Sequence, residues 1–142
     1  MKKLLVTTDG SKNSKKALLE AKRLATALDL KIIILNVVND IVITPYMTMQ
    51  YNMIQQSDKD LRQIGEKILE ESLKLFDDFE GEIETKLERG DPADIIIKEV
   101  KDNDYELIVM GSRGLGTFSR AMLGSVSSRV LHHVKTNIFI VK

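Results

Sequence analysis

Leu107-Ile-Val-Met-Gly-Ser-Arg-Gly-Leu-Gly-Thr-Phe-Ser-Arg-Ala-Met-Leu-Gly-Ser-Val-Ser-Ser-Arg-Val-Leu131 holds the reading that decides the fold. Leu107–Met110 is an apolar run that predicts a buried strand, and Val126–Leu131 predicts a helix. Between them lie Gly111, Gly114, Gly116 and Gly124. A strand that empties through glycines into a helix N-terminus suits an anion. Glycine lets the backbone approach closely, and the first helical N–H groups have no partner within the helix. From Leu107 to Lys142 there is no carboxylate, while Arg113, Arg120, Arg129, Lys135 and Lys142 are basic. This stretch predicts a phosphate-binding end to the chain.

Outward from that segment, strands and helices alternate. Leu4-Leu-Val6 predicts a short strand bounded by Thr7-Thr-Asp-Gly10. Ser11 or Ser14 is placed to cap a helix whose Ala17, Ala21, Leu24, Ala25 and Leu28 recur at helical spacing. Lys31–Val38 is continuously apolar, as expected of a parallel strand covered on both faces. Residues 40–57 read as a long, partly apolar excursion. Asp58 starts what reads as the longest helix, with Leu61, Ile64, Ile68, Leu69, Leu75, Phe76 and Phe79 facing inward. Gly65 inside it costs roughly 1 kcal/mol relative to Ala. Glu82–Glu88 alternates and predicts a half-exposed edge strand; Asp91-Pro92 starts a helix with Ile95, Ile96 and Val100 on its apolar face. The last helix reaches about His133, and Asn137–Val141 forms the last strand.

This β-α-β-α-β-α-β-α-β order predicts an α/β fold: a doubly wound, five-stranded parallel sheet in the order 3-2-1-4-5 with helices on both faces. Strands 1 and 4 are then neighbours, and the chain winds away from them in opposite directions. Ligands bind in the crevice this leaves at the carboxyl ends. Asp9 follows strand 1 and the glycines follow strand 4, so two separate motifs converge there.

The 142 residues predict a single domain that buries roughly two-thirds of its unfolded surface. The absence of Cys excludes disulfides and cysteine-built metal sites. Only three apolar residues follow Met1-Lys-Lys before Thr7, too few for a signal peptide, and no run reaches the ~18 apolar residues of a membrane span. The expectation is a cytoplasmic protein that engages no membrane. The formal net charge is zero, and only seven aromatics occur, none interleaved with the arginines, which argues against nucleic acid as a partner.

The glycine spacing is G-x2-G-x9-G-S, from Gly111 through Gly114 to Gly124-Ser125. It resembles the ATP-binding signature of the universal stress protein family. The resemblance extends over Val6–Ser11, Ile34–Val38, Gly90–Ala93 and Leu107–Ser112, and so over essentially the whole chain. One departure is visible: Asn137 stands where members often carry proline. The resemblance implies an ATP-binding regulatory or stress-response protein that uses its nucleotide as signal or stabiliser. It implies contacts from Thr7, Thr8 and Asp9 after strand 1, and backbone contacts from Val37 to the adenine edge. Met110, Gly111, Arg113 and Gly114 would follow from strand 4, and Gly124, Ser125, Val126 and Ser127 from the last helix. Arg113 and Arg120 are either solvated charges or phosphate clamps. Asp9 would meet ribose hydroxyls or a divalent ion, Mg or Mn, brought by the phosphates. A homodimer through the last strand is also implied; the downstream partner is not.

Hydrogen bonds to a charged group contribute about 1.5–3 kcal/mol each, so three or four, less the cost of association, allow roughly micromolar binding. Catalysis is expected to be at most a weak ATPase. There is no G-x4-G-K-[S/T], no lysine between Gly111 and Ser125, and no obvious base. The alternative is a nucleotide-dependent enzyme on the same fold, a slow ATPase or an adenylate-handling one. A substrate-adenylating enzyme would want Ser-Gly-Gly-x-Asp-Ser after strand 1, where Thr7-Thr-Asp-Gly-Ser-Lys12 stands. A flavodoxin-like carrier would place its phosphate loop there, and a phospho-receiver would need acids after strands 1 and 3 and a lysine after strand 5. His132 and His133 in a last helical turn offset the helix dipole.

Overall fold

The computed structural model describes residues 1–39, 58–113 and 123–142. The elements are β1 (Lys3–Thr7), α1 (Lys12–Leu28), β2 (Lys31–Val38), α2 (Asp58–Leu73), β3 (Ile83–Arg89), α3 (Pro92–Asp102), β4 (Leu107–Gly111), α4 (Ser125–His133) and β5 (Ile138–Val141). The sheet runs β3-β2-β1-β4-β5, and every neighbouring pair is parallel. This is the doubly wound architecture the pattern predicts. Residues 40–57, read as an excursion, lie outside the described residues.

Alternation along the strands divides the core in two. Leu4, Val6, Ile32, Ile34 and Val109 pack under α1 and α2 against Leu18, Ala21, Leu69 and Phe76. Leu5, Ile33, Leu35, Ile108 and Met110 pack on the other face under α3 and α4 against Ile96, Val100 and Val130. Burial on both faces is why these strands are continuously apolar. Leu4, Leu5 and Val6 are fully buried, and each such side chain contributes ~1.5–3 kcal/mol.

Helix ends follow local chemistry. The Ser11 Oγ accepts the Ser14 N–H at 3.1 Å, and an Asp91 carboxylate oxygen accepts the Asp94 N–H at 3.0 Å, ahead of Pro92. Ser11, and not Ser14, is the cap of α1. Ser14 is buried, with its Oγ 3.2 Å from the Thr8 Oγ1. Among the described residues α1 is the longest helix, at 17 residues against 16 for α2. α2 gives way at Leu73 to a 3-10 turn, Lys74–Phe76, and Phe79 meets Phe76 edge-to-face at 6.2 Å.

Two inward assignments change. Ile64 is 51% exposed, because it faces a groove shared with Gly10 and Lys15 while its neighbour Gly65 takes the place against the sheet. On α3 the buried face is Ala93, Ile96 and Val100, while Ile95 packs against Gly90. Near β3, burial pushes the Tyr105 hydroxyl up, and it donates to the Glu99 carboxylate at 2.5 Å; the Lys86 ammonium reaches the same oxygen at 2.7 Å.

Gly65 has a packing reason that outweighs its propensity cost. A Cβ there would lie 2.4 Å from Leu87 Cδ1 and 2.9 Å from Asn36 Oδ1, so glycine lets α2 seat on β2 and β3. Gly65→Ala is therefore expected to lower stability by about 1–2 kcal/mol, overpacking exceeding the gain in helix propensity. Urea denaturation measures it; a raised midpoint would contradict this packing.

Candidate functional site

The crevice forms where β1 stops. β1 and β4 pair through Val6 and Val109, then the chain enters α1 on one face and leads towards α4 on the other. The Thr8 N–H donates to the Leu35 carbonyl at 3.0 Å, the last backbone bond between the β1 side and β2. Backbone groups alternate in direction along a strand. Leu35 faces β1, while Ile32 and Val38 bond towards β3. Val37 therefore turns its N–H and C=O towards the β1 side, one step past the end of that ladder. This places an amide donor and acceptor at the crevice independently of the valine side chain.

The loop after β1 is built from short-range bonds. The Ser11 N–H donates to Asp9 Oδ1 at 2.9 Å, which fixes the half-buried carboxylate and leaves its second oxygen available. The Gly10 N–H donates to Thr8 Oγ1 at 3.3 Å, and Gly10 has φ +82°, a region glycine enters without strain. Asn36 Nδ2 donates to the Thr8 carbonyl at 2.7 Å, tying the loop to β2. Its Oδ1 is buried against Gly65 and has no hydrogen-bond partner among the described residues.

The loop after β4 returns to its origin. The Ser112 N–H donates to the Val141 carbonyl at 2.8 Å, and the Gly124 N–H donates to the Ser112 carbonyl at 2.6 Å. The second bond brings the start of α4 beside the end of β4. The Ser127 hydroxyl donates to the Gly111 carbonyl at 2.7 Å. That proton is committed to the frame, so in this arrangement Ser127 offers an anion its backbone N–H.

Gly124 is the N-cap of α4, has no side chain to cap with, and no acid stands in the first turn. The first intrahelical bond is Ser128 N–H to the Gly124 carbonyl, at 2.9 Å. The N–H groups of Ser125, Val126 and Ser127 consequently have no acceptor within the helix. α1 and α3 carry side-chain caps; α4 presents its donors uncapped at the mouth of the crevice.

Thr7, Thr8, Asp9, Val37, Met110, Gly111, Arg113, Gly124, Ser125, Val126 and Ser127 thus lie on the segments that meet at the carboxyl ends of β1, β2 and β4. Met110 is buried in the second core and contributes through its backbone position. Gly114 and Arg120 lie outside the described residues. The Arg129 guanidinium is engaged elsewhere, with Asp91 at 3.1 Å and with Asp94, so it ties α4 to α3 and leaves the basic set around the crevice. His132 and His133 place Nδ1 2.6 Å and 2.7 Å from the carbonyls of Ser128 and Arg129.

Asn13 is the site residue the sequence reading lacks. Its Oδ1 accepts the Arg113 N–H at 2.8 Å, and its Nδ2 donates to the Val141 carbonyl at 3.2 Å. One amide joins α1, β5 and the loop after β4. A Cβ on Gly111 would fall 2.3 Å from that Oδ1, which accounts for glycine there. An asparagine in a first helical turn reads locally as a capping residue, so only the tertiary pairing exposes this role. Asn13→Ala is expected to cost about 1–3 kcal/mol by stranding the Arg113 N–H. Denaturant titration measures it, and an unchanged midpoint would remove Asn13 from the frame.

Comparison with known proteins supplies the family. The universal stress protein family matches residues 1–142. A relative, Universal stress protein YxiE of Bacillus subtilis (strain 168), is 32% identical over 145 residues, covering 99% of this chain and 98% of its own. The solved structure of protein MJ0577 superposes with a TM-score of 0.81 at 26% identity, covering 99% of this chain and 95% of that one. A universal stress protein in complex with cAMP superposes with a TM-score of 0.70 at 26% identity, covering 99% and 96%. The chain belongs to the universal stress protein family.

Proposed function

We propose that this protein binds ATP in the crevice between β1 and β4 and acts as a regulatory or stress-response protein in the cytoplasm, its nucleotide serving as signal or stabiliser. One observation carries the reading: an uncapped helix N-terminus, α4, is drawn to the exit of β4 by the Gly124–Ser112 bond. Free N–H groups and the helix dipole favour a phosphate there. The cAMP complex of a related protein supports an adenine nucleotide as the class of ligand. Val37 offers the donor and acceptor that an adenine edge requires. GTP presents the reverse pattern and binds less well.

The residues present fit the nucleotide. Gly124 leaves the start of α4 without a side chain, with the N–H groups of Ser125, Val126 and Ser127 as donors. The open oxygen of Asp9 faces either ribose hydroxyls or a divalent cation. Among the described residues no cluster of three or more His, Cys, Asp or Glu could hold a metal. Mg or Mn would be held through the phosphates, whose charge it offsets. Binding ATP without fast turnover follows from the missing lysine and base; turnover below roughly 1 per second is expected.

Replacing both Gly114 and Gly124 by Val is expected to weaken ATP at least about a hundredfold, the equivalent of two lost charged hydrogen bonds, in a protein whose circular dichroism is unchanged. Calorimetry measures it. Retained affinity in the folded variant, or equal affinity for GTP in the parent, would overturn the site.

We further propose a homodimer through β5. Asn137 and Val141 turn their carbonyls towards β4, so Ile138 and Ile140 turn their backbone groups to the open edge. Phe139 is 38% exposed beside them. An apolar edge strand is prone to pair with another, and a two-fold axis closes the pairing. β3, the other edge, carries Glu84, Lys86 and Glu88 and discourages it. The parent protein is expected to sediment as a dimer at tens of micromolar and Phe139→Lys as a monomer; a monomeric parent would refute the dimer.

A further inference from the structure

A groove between α1 and α2 lies outside the nucleotide crevice and has a volume of about 260 Å³. Its floor is Ile64, Ile68 and Leu75, with Gly10 at one end. Ile64 belongs by sequence to the inward stripe of α2 yet is half-exposed here, so the stripe continues past the core onto the groove. A Cβ on Gly10 would lie 3.3 Å from Ile68 Cγ1, and its absence keeps that end open.

The polar groups of the lining select the occupant. The Ser72 hydroxyl donates to the Ile68 carbonyl at 2.7 Å and offers the groove no donor. Glu71 is paired with Lys74 at 3.0 Å. Lys15 on α1 and Lys67 on α2 also line the groove and have no ion pair among the described residues. The Glu71 carboxyl is held below its ordinary range first by its bond from Lys74, with the charges of Lys67 and Lys15 adding to it, so both ammonium groups act on the same rim. An apolar floor beneath Lys15 and Lys67, neither in an ion pair among the described residues, complements an amphipathic anion. Among the described residues of the lining there is no aromatic ring for a nucleotide base. At the roughly 30 Å³ that a water molecule occupies in the liquid, the volume corresponds to about eight or nine groups of that size.

We propose that this groove binds a medium-chain fatty-acyl carboxylate, its chain along Ile64, Ile68 and Leu75 and its carboxylate between Lys15 and Lys67. The chain desolvates the exposed isoleucine, and the head group adds to the partial counter-charge that Glu71 gives the two lysines. The groove ends at Gly10, next to Asp9, so the two ligands occupy separate sites that share one loop.

Calorimetric titration of the full chain with decanoate, below its micellar concentration, tests the assignment. Saturable binding at one site per chain is expected, at least tenfold weaker in Lys15→Gln/Lys67→Gln and in Ile64→Asp, with decylamine not binding and decanol weaker than decanoate. Thermal unfolding and ATP titration of each variant establish that it is folded; Ile64 and both lysines are exposed, so folding is expected to persist. Three outcomes would overturn the proposal: no saturation with decanoate, equal binding of decanol and decanoate, or affinity unchanged in the lysine variant. So would a change of oligomeric state in Ile64→Asp, which would make this face a contact between copies of the chain.

Discussion

The site depends on one constraint: β1 is paired on both sides and then stops while its neighbours continue. Leu4–Val6 pair with β2 and β4 and are buried on both faces. Beyond Thr8 the β1 side of β2 has no backbone partner among the described residues, and the chain turns into α1. The same ending frees Val37, sets Asp9 at the mouth and opens the gap that Gly111 borders. Helices on opposite faces then follow from the direction in which each strand is left, since a right-handed crossover carries the chain to one face from β1 and to the other from β4.

What holds the mouth in shape is a set of hydrogen bonds between segments far apart in sequence. Asn13 joins Arg113 to Val141, Ser127 joins α4 to Gly111, Gly124 joins α4 to Ser112, and Asn36 joins β2 to Thr8. Each is worth about 1 kcal/mol in stability; together they fix where the free N–H groups of α4 point. A preorganised cradle spends less of its binding energy on ordering the loop. The ion pairs of Arg129 with Asp91 and Asp94 hold α4 against α3 from behind. The positive charge facing the crevice is correspondingly smaller than the composition of the last 36 residues suggests.

The legible features were those written in local pattern. Continuous apolar strands, the Asp91-Pro92 helix start, the edge character of β3 and the order of elements all lie in short stretches, and the topology follows from their sequence. Features that require two distant segments were not legible. Ile64 lies on the predicted stripe, but that Gly65 takes the place against the sheet and turns Ile64 towards α1 is a tertiary fact. Gly65 reads as a propensity defect until Leu87 and Asn36 are seen against it. Arg129 counts as available charge until α3 is packed beside it, and Asn13 reads as a polar residue near a cap. In the site, glycine spacing and helix start were visible, whereas the commitment of the Ser127 proton to Gly111 was not.

The central claim is that the crevice between β1 and β4, with the N-terminus of α4, receives an adenine nucleotide. Mapping amide chemical shifts of uniformly 15N-labelled protein during titration with ATP tests it most directly. Saturable shifts are expected at Ser125, Val126, Ser127 and Val37, with the β3 edge from Glu84 to Glu88 undisturbed. No saturable change at those amides, or changes confined to another face, would contradict it.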